Sequence, residues 1–526
     1  MATIRFKSLT LTGSLALLLG ATGCEKDLIE QVNPNVPEAA TFWTTADAAV
    51  RGVNAAYSGL QQLGTYRRWL HFAFDTRSDD SFSQSPWGEL LDWTRFVQFN
   101  YNFEVSRDIW RDHYRAIWRC NQAIDKIPTI TGMDAALQKR LVAEARFLRA
   151  LYYFNLVSLY GRVPLVTQST AGLEINGPQA TNEEQVWQLV ITDLQAAQPD
   201  LPATYTGNDV GRATRGAATT LLGRAYMQNR RWADASAQFQ QVISSGVYSL
   251  TANYTDNFRH TSENNSESIF EVQFSDAKLG GNDGDDATSS EGGQRSQFWG
   301  VPGAGFVDAE VRPWVVNEFL QEATTSGQRD PRLAATVFYN RRQFATSLPV
   351  DADTLVYGTG FIRRFTSMDP AADARARSRI YWRKYQTDYF RTFENFDSPI
   401  NQRVMRYADV LLMQAEALNE QGNTGAAVPL INQVRQRVGM PALVAANFTR
   451  ETMRMQIMHE RVTELTGEEV RWFDLKRWGL LDTQAGLDQL KARDESFNSF
   501  VLNRSRLLPL PRTDVDLAAL TQNPGY

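Results

Sequence analysis

Two stretches of the chain carry small and large apolar residues at the spacing with which antiparallel helices pack in pairs, and this spacing constrains the fold most. The first stretch, "LLGRAYMQNRRWADASAQFQQV", spans 221–242, and the second, "MQAEALNEQGNTGAAVPLINQV", spans 413–434. Small residues such as Gly223 and Ala235 allow two helices to approach closely, while larger residues fill the seam. The other matching positions are Leu222, Tyr226, Phe239 and Val242 in the first stretch and Ala415, Leu418, Gly422, Ala427, Ile431 and Val434 in the second. These stripes predict a helical core rather than a binding site.

The spacing is that of the tetratricopeptide repeat, but the second copy begins 192 residues after the first. Such distant copies cannot be adjacent turns of an uninterrupted solenoid, so we expect one module built from distant segments, with a loop-rich insert between them. Periodicity predicts helices at 45–63, 105–127, 134–160, 182–198, 214–229, 232–245, 405–421, 424–438 and 450–466, and short strands at 268–275, 354–365 and 378–386. The predicted fold class is mainly α, with tetratricopeptide-like helix pairs, an irregular loop-rich lobe and a few short β-strands.

The N-terminus contains "LALLLGATGCEKDL", residues 15–28, in which an apolar run ends in small residues and a cysteine. The run follows two basic residues, as in an export signal. It is too short to cross a membrane as a helix, which takes about 20 apolar residues. A buried N-terminal helix is the alternative. Because Cys24 directly follows small residues, the stretch resembles the processing site of bacterial lipoproteins. We predict a signal peptide at 1–23, lipidation of Cys24 and a tether at 24–40.

The charge balance argues against nucleic acid as a partner. The chain has 54 basic and 59 acidic residues, and loss of two basic residues with the signal peptide leaves 52 against 59, a net charge of −7. No Lys/Arg-rich tract is visible that would follow a phosphate backbone. With Cys24 acylated, Cys120 has no cysteine partner, so we predict no disulfide and a buried Cys120 on an apolar helix face.

A cluster of carboxylates in "HERVTELTGEEVRWFDLKRWG", residues 459–479, raises the alternative of a glycoside hydrolase. Such enzymes hold two carboxyl groups about 5 to 9.5 Å apart across a substrate cleft, which sequence spacing cannot establish. The carboxylates are Glu460, Glu464, Glu468, Glu469 and Asp474, and they alternate with Arg461, Arg471, Lys476 and Arg477. We therefore predict structural ion pairs on and between helices.

The sequence has no other constellation typical of catalysis or metal binding. The four histidines, which are scattered without metal-ligand spacing, are His71, His113, His260 and His459. Neither a nucleophile elbow nor a phosphate loop is present. The acidic stretch "GGNDGDDATSSEGG" at 280–293 suggests a calcium loop as the alternative, but it lacks the twelve-residue pattern with a terminal Glu. We predict no enzyme activity, no metal and no cofactor.

The aromatic content favours a binding function, since 13 tryptophans occur in a chain without a cofactor motif. Sugar rings pack their C–H faces on aromatic rings, while their hydroxyl groups need fixed polar partners. Two loop-like stretches combine both kinds of residue, "DTRSDDSFSQSPWGELLDWTRF" at 75–96 and "GGQRSQFWGVPGAGF" at 292–306. The candidate ligand-binding residues are Asp80, Trp87, Trp93, Phe298 and Trp299. We expect the two aromatic pairs to line one shallow face, and the alternative is that they are buried loop anchors.

Four separated stretches and the C-terminal end resemble the SusD/RagB family of outer-membrane nutrient-binding lipoproteins. The stretch "AEARFLRALYYFNLVSLYGRVPLV" at 143–166 is similar to the family's N-terminal hallmark, and residues 211–250 are similar to its repeat unit. The stretch "RYADVLLMQAEALNEQGN" at 406–423 leads into "INQVRQRVGM". Residues 459–479 resemble the signature near the C-terminus, and the chain ends in "LLPLPRTDVDLAALTQNPGY".

The resemblance implies an α-helical fold with tetratricopeptide-like pairs, a ligand-binding lobe of irregular loops, and pairing with a SusC-like TonB-dependent outer-membrane transporter. In such complexes the lipoprotein lies as a lid over the barrel and passes glycan fragments inward. The acidic residues after the cysteine are similar to signals that place family lipoproteins on the outer face of the outer membrane. The implied division is an N-terminal helical part at 41–260 and a C-terminal part at 261–526, with a loop-rich insert at 276–400. In "ELTGEE" the family's usual aromatic is replaced by Gly467 and a customary glycine by Glu469, so we expect the local turn to differ.

Three functions stay open at this point. The first is a cell-surface lipoprotein that binds oligosaccharide or polysaccharide and delivers it to the partner transporter. The second is a tetratricopeptide-type adaptor that binds peptides or proteins, and the third is a glycoside hydrolase. A transporter gene next to the gene for this chain would favour the first.

Replacing Cys24 with Ala should release the protein from the outer-membrane fraction and leave its fold unchanged, because the acyl chains attach at this thiol and the residue precedes the predicted folded body. Cell fractionation with immunoblotting measures the release, and circular dichroism checks the fold. Cys120→Ala, a change of the only other cysteine, is the control and should stay with the membrane. Membrane retention of the Cys24 variant would contradict the anchor prediction.

Overall fold

The structure, a computed structural model, describes residues 42–170, 177–277, 291–344, 355–366 and 369–526. The predicted signal peptide, Cys24, the tether and most of the acidic stretch 280–293 lie outside the described residues. Helices predominate in the described part of the chain. The α-helices there are α1 (Ala46–Tyr57), α2 (Trp69–Phe74), α3 (Gly88–Thr94), α4 (Glu104–Lys126), α5 (Ala135–Tyr160), α6 (Glu183–Ala197), α7 (Arg215–Gln228), α8 (Trp232–Ser244), α9 (Arg295–Phe298), α10 (Pro313–Phe319), α11 (Pro331–Thr336), α12 (Phe361–Arg364), α13 (Pro370–Ser378), α14 (Tyr407–Glu420), α15 (Thr424–Arg437), α16 (Arg450–Leu465), α17 (Arg471–Arg477), α18 (Gln484–Arg493) and α19 (Arg512–Leu517).

The long helices begin and end where the sequence predicts because their caps are encoded locally. Asp134 caps α5 by accepting a hydrogen bond from the Leu137 amide, and the helix ends at Gly161, whose φ of 69° is in the left-handed region. Thr214 caps α7 in the same way, and Thr449 caps α16 within a capping box. Apart from the first, which ends early at Tyr57, the predicted helices are confirmed to within two residues at each end.

The helices form a continuous layered assembly. Helices α4, α5, α6, α7 and α8 pack in succession, each against the one before it, and α8 also packs against α14. The first repeat copy is the pair α7–α8 and the second is α14–α15, so the two copies, although distant in sequence, are neighbours in space. This confirms the prediction of one module built from distant segments. The close approach depends on Gly223, where a Cβ atom would lie 2.4 Å from a ring carbon of Phe239.

The hydrophobic core joins both halves of the described chain. One cluster contains Val157 of α5, Leu222 of α7 and Trp472 of α17, and a second lies among α14, α15 and α16. Cys120 of α4 is fully buried in the first cluster, as predicted. Within the described residues, no helix combines the length and the apolar character that crossing a membrane requires.

The strands of the described residues are short, and most come from the sequence between the two repeat copies. They are β1 (Ser81–Ser83), β2 (Ser268–Val272), β3 (Ala309–Val311), β4 (Val337–Phe338), β5 (Leu355–Val356), β6 (Thr359–Gly360), β7 (Tyr381–Trp382) and β8 (Gln402–Arg406). A four-stranded antiparallel sheet has the order β1-β3-β7-β4, and two-stranded antiparallel sheets are formed by β2 with β8 and by β5 with β6. In the four-stranded sheet, Glu310 is opposite both Phe82 and Tyr381.

Of the predicted strands, that at 268–275 is confirmed as β2, while the other two are mostly wrong. In 354–365, β5 and β6 form a minimal hairpin around Gly358, whose φ is 77°, and the chain then becomes helical as α12. In 378–386 only the two residues of β7 belong to a strand. Alternation misled the prediction because Tyr357, Phe361 and Tyr381 are buried together in one small cluster, not on the face of a long sheet.

The carboxylates of 459–479 are buried and form ion pairs, as predicted, but most of their partners are far away in the sequence. Glu464 pairs with Arg406 at 2.6 Å and with Arg437 at 2.5 Å. The other pairs include Glu464–Arg332, Glu460–Arg435, Glu468–Lys384, Glu468–Arg406, Glu469–Arg295, Asp474–Arg461 and Asp474–Arg477. Only the partners of Asp474 belong to the predicted basic set. These acids therefore hold distant elements together.

Gly223→Ala should lower the free energy of unfolding by about 1–3 kcal/mol, because the added methyl group would overlap the ring of Phe239 in the seam of the first repeat copy. Gly425→Ala is the matched control in the first turn of α15, where a Cβ atom meets nothing within 4 Å. It should leave stability unchanged or raise it by up to about 1 kcal/mol. Urea unfolding followed by circular dichroism measures both changes, and equal effects would contradict the packing role of Gly223.

Candidate ligand-binding cleft

An open cleft with a volume of about 620 Å³ lies between helix α2, the loop before α3, the start of α4 and the segment 298–308. This volume is within the about 300–1,000 Å³ of typical small-molecule sites. Its aromatic residues are Trp69, Trp87, Phe298 and Phe306. Two stretches that the sequence analysis selected, 75–96 and 292–306, therefore contribute walls to the same cleft.

Trp87 and Phe306 offer ring surface to solvent, since they are 37% and 45% exposed. Trp87 precedes α3, and its amide donates a hydrogen bond of 3.2 Å to the Ser85 hydroxyl, which fixes the turn after Pro86. The Phe306 amide donates a bond of 2.7 Å to the Gln297 carbonyl. Both rings thus project from loops that are tied to the scaffold.

Trp69 and Phe298 are almost buried and form the floor that supports the exposed rings. The ring centroid of Trp69 lies 6.3 Å from those of Trp87 and Phe298, and the centroid of Phe298 lies 5.6 Å from that of Phe306. The guanidinium of Arg68 lies 4.8 Å and 4.5 Å from the centroids of Trp69 and Phe298 and donates to the side chain of Gln294 at 2.5 Å. The cation stacks on the floor rings and holds them in place.

The polar rim of the cleft comes mainly from the first turns of α4. Arg111 pairs with Asp108 at 2.9 Å and with Asp112 at 2.9 Å. Burial raises the pKa of Asp108 to about 6, although Arg111 opposes this increase. Glu104 and Arg107 are exposed on the same side of the helix and also line the cleft. Hydrogen-bond donors and acceptors therefore surround the aromatic walls.

The structure brings one residue of each predicted pair, Trp87 and Phe298, into the cleft and buries the others. Trp93 has no exposed surface, and its indole N–H donates to Ser106 at 2.9 Å. Trp299 is also fully buried, with its ring 4.5 Å from that of Phe72. A ring without an exposed face cannot stack on a sugar. The prediction is thus corrected for Trp93 and Trp299, which are structural anchors behind the cleft.

Asp80 is likewise buried and does not line the cleft. Its carboxylate accepts hydrogen bonds from the hydroxyl groups of Ser78 at 2.5 Å and Thr466 at 2.6 Å. Burial raises the pKa of Asp80, and the nearby Asp79 adds to this effect. The predicted ligand role of Asp80 is therefore corrected to a structural one, in which its carboxylate connects the segment before β1 to the end of α16.

Sequence reasoning missed Arg68, Trp69 and Phe306. The first two lie in "YRRWLHFAF", which lacks the glycines, prolines and small polar residues that mark the two selected stretches as loops. Phe306 follows "GVPGAG", and a large aromatic at the end of such a stretch could have been selected. Whether its ring is exposed depends on packing with distant residues.

One group of side chains has the composition of a metal site. Oxygen and nitrogen atoms of Glu322, His459 and Glu460 lie within 4.8 Å of one another. The guanidinium of Arg435, however, pairs with Glu322 at 2.6 Å and also with Glu460. Because the guanidinium of Arg435 contacts both carboxylates, the group is an ion-pair cluster and not a suitable metal site.

Comparison with known proteins agrees with this architecture. A sequence profile described as "SusD family" matches residues 266–526, and one described as "Starch-binding associating with outer membrane" matches residues 44–227. A SusD-like protein of Formosa agariphila is 29% identical over 389 residues, which are 71% of this chain and 70% of that protein.

Solved structures match over nearly the whole chain. The crystal structure of a SusD homolog from Bacteroides thetaiotaomicron has a TM-score of 0.76 at 24% identity and covers 93% of this chain and 98% of that one. A structure named as a laminarin binding SusD-like protein has a TM-score of 0.71 at 26% identity, and the match covers 92% of this chain and 100% of that one. With two profiles of the family matching successive parts of the sequence, and with this fold, the chain belongs to the SusD/RagB family.

Proposed function

We propose that this protein binds oligosaccharides at the cell surface and delivers them to a partner TonB-dependent outer-membrane transporter. The observation that carries the proposal is the cleft, in which exposed faces of Trp87 and Phe306 lie beside hydrogen-bonding groups of α4. The description "starch-binding" of one matching profile and the name of the laminarin binding relative support a carbohydrate ligand.

The chemistry of the cleft suits a sugar ring. The apolar faces of the exposed rings can cover its C–H groups, and the rim residues Glu104, Arg107 and Arg111 can exchange hydrogen bonds with its hydroxyl groups. The rings are held on a packed floor, so few side-chain rotamers are lost when a ligand binds. The cleft is open to solvent, so a ligand that is part of a longer chain could extend beyond it.

The cellular part of the proposal rests on the family and on the N-terminal sequence. The description of the profile that matches residues 44–227 includes association with the outer membrane. Lipidation of Cys24 would attach the protein there, and the tether at 24–40 would allow the folded body to stand away from the lipid. The SusC-like transporter is the partner that the family resemblance implies.

Trp87→Ala and Phe306→Ala should each weaken glycan binding about fivefold or more, corresponding to about 1 kcal/mol, with little change in melting temperature, because both rings are partly exposed. Affinity gel electrophoresis against laminarin, starch, xylan, mannan and galactan identifies a bound polysaccharide, and titration calorimetry measures the affinity. Trp232→Ala changes a partly buried tryptophan outside the cleft and is the control, for which we expect no change in affinity. Wild-type affinity in both cleft variants would contradict the proposal.

The protein should not cleave the glycan that it binds, since the acids of 459–479 are engaged in buried ion pairs. Within the cleft, Asp108 is the acid with a raised pKa, and it is paired with Arg111. A reducing-end assay after long incubation with the bound polysaccharide tests this expectation. Release of reducing ends that Asp108→Asn abolishes would identify a hydrolase instead.

A further inference from the structure

A second group of exposed aromatic side chains lies on the segment 389–396, which leads away from the cleft. Phe390 and Phe393 are 43% and 59% exposed. At the other end of the segment, the ring of Phe396 lies 6.0 Å from that of Phe298 and 5.9 Å from that of Phe306. Phe396 is six positions after Phe390, so the Cα atoms of the two residues are within about 20 Å of each other. The segment therefore connects the cleft to a second aromatic surface.

The segment is fixed, although its aromatic side chains are exposed. Glu394 is buried and accepts hydrogen bonds from the Thr387 amide at 2.7 Å and the Tyr357 hydroxyl at 2.5 Å, and its own amide donates to Ala304. Arg391 pairs with Asp397 at 2.9 Å and with Asp276 at 2.9 Å. Burial raises the pKa of Glu394, although these hydrogen bonds oppose the increase. Phe390 and Phe393 are thus held on a tied backbone with part of each ring in solvent.

Polar groups surround the second aromatic surface as they surround the first. The ring of Phe390 lies 4.4 Å from that of His260 and 4.9 Å from that of Tyr389, and His260 Nδ1 shares a hydrogen bond of 2.7 Å with the Tyr389 hydroxyl. Tyr389 also borders a small cavity of about 170 Å³. Hydrogen-bonding side chains of this cavity are Arg259, Arg383, Gln386 and Asp388. Its volume suits a small group and not an extended ligand.

We propose that Phe390 and Phe393, with the neighbouring polar side chains, form a second carbohydrate-contact surface for the continuation of a glycan chain whose other part occupies the cleft. This inference rests on the proposed function, because it assigns a longer ligand to the same protein. Engagement of both surfaces by one chain makes the second contact intramolecular and raises the affinity for long chains only. The protein would then select polymer or long oligosaccharide over short fragments.

A glycan fits this surface better than a protein partner does. A stable protein interface buries about 800 Å² on each side, with an apolar centre. Here two phenyl rings stand among polar side chains, including Arg391 and the exposed Thr392. The contact of Phe396 with the rings of the cleft places the surface on a path that a chain leaving the cleft could follow.

The test compares oligosaccharides of about three and about nine units, prepared from whichever of the five polysaccharides retards the wild-type protein most. We expect the variants Phe390→Ala, Phe393→Ala and the double variant to keep the wild-type affinity for the short ligand. Their affinity for the long ligand, measured by titration calorimetry, should be about three- to tenfold weaker. Trp87→Ala should weaken the binding of both the short and the long ligand. Phe99→Ala, which changes an 86% exposed phenylalanine that lines neither cavity, should change neither affinity.

Each failure has a separate meaning. If no polysaccharide retards the wild-type protein, or if Trp87→Ala binds as the wild type does, the proposed function fails and the inference fails with it. If Trp87 is required but the Phe390 and Phe393 variants keep wild-type affinity for the long ligand, only the second surface is overturned. Sedimentation velocity provides a further check, since a dimer that the double variant abolishes would identify the surface as a contact between two copies of the chain.

Discussion

Charges buried between the two repeat copies and the loop-rich lobe hold the structure together. Arg406, at the end of β8, pairs with Glu464 at 2.6 Å and with Glu267 at 2.7 Å, and all three side chains are buried. Burial alone would raise the pKa of Glu464, but Arg437, Arg406 and Arg332 hold it well below its usual value. Loss of one partner from such a pair typically costs about 3–5 kcal/mol, because the remaining charge stays desolvated. Elements that are distant in sequence therefore have to assemble together.

A second set of buried ion pairs, centred on Glu469, reaches the floor of the cleft. Glu469 directly follows Glu468, which pairs with Arg406. Glu469 has a φ of 64°, a conformation that costs a non-glycine residue about 1–2 kcal/mol. Its side chain pairs with His71 of α2 and Arg295 of α9, and these helices also carry the floor residues Trp69 and Phe298. At "ELTGEE", these ion pairs offset the cost of the strained backbone. The neighbouring Gly467 leaves room for Trp382, whose ring would lie 2.4 Å from a Cβ atom.

The scaffold could be predicted from the sequence and the site only in part, for a physical reason. Helix boundaries depend on neighbouring residues, such as Asp134 before α5, so local patterns suffice. Exposure of an aromatic ring depends instead on which distant segment covers it. Trp87 and Trp93 share one stretch, yet one is 37% exposed and the other is covered completely. The partners of Glu464 could not be deduced either, because helical spacing relates only residues three or four positions apart.

Trp87 and Phe306 contribute less to folding than the fully buried aromatic residues do, since burial of apolar surface is what stabilises a protein and 37% and 45% of these side chains stay in water. Their position follows from the residues beneath them, where Arg68 stacks on the floor rings and Glu469 holds the two helices. A change in the exposed rings should therefore alter the affinity for the ligand without disturbing the scaffold. A change in the charges around Glu469 should alter both, because its ion pairs with His71 and Arg295 fix the two helices that carry the floor of the cleft.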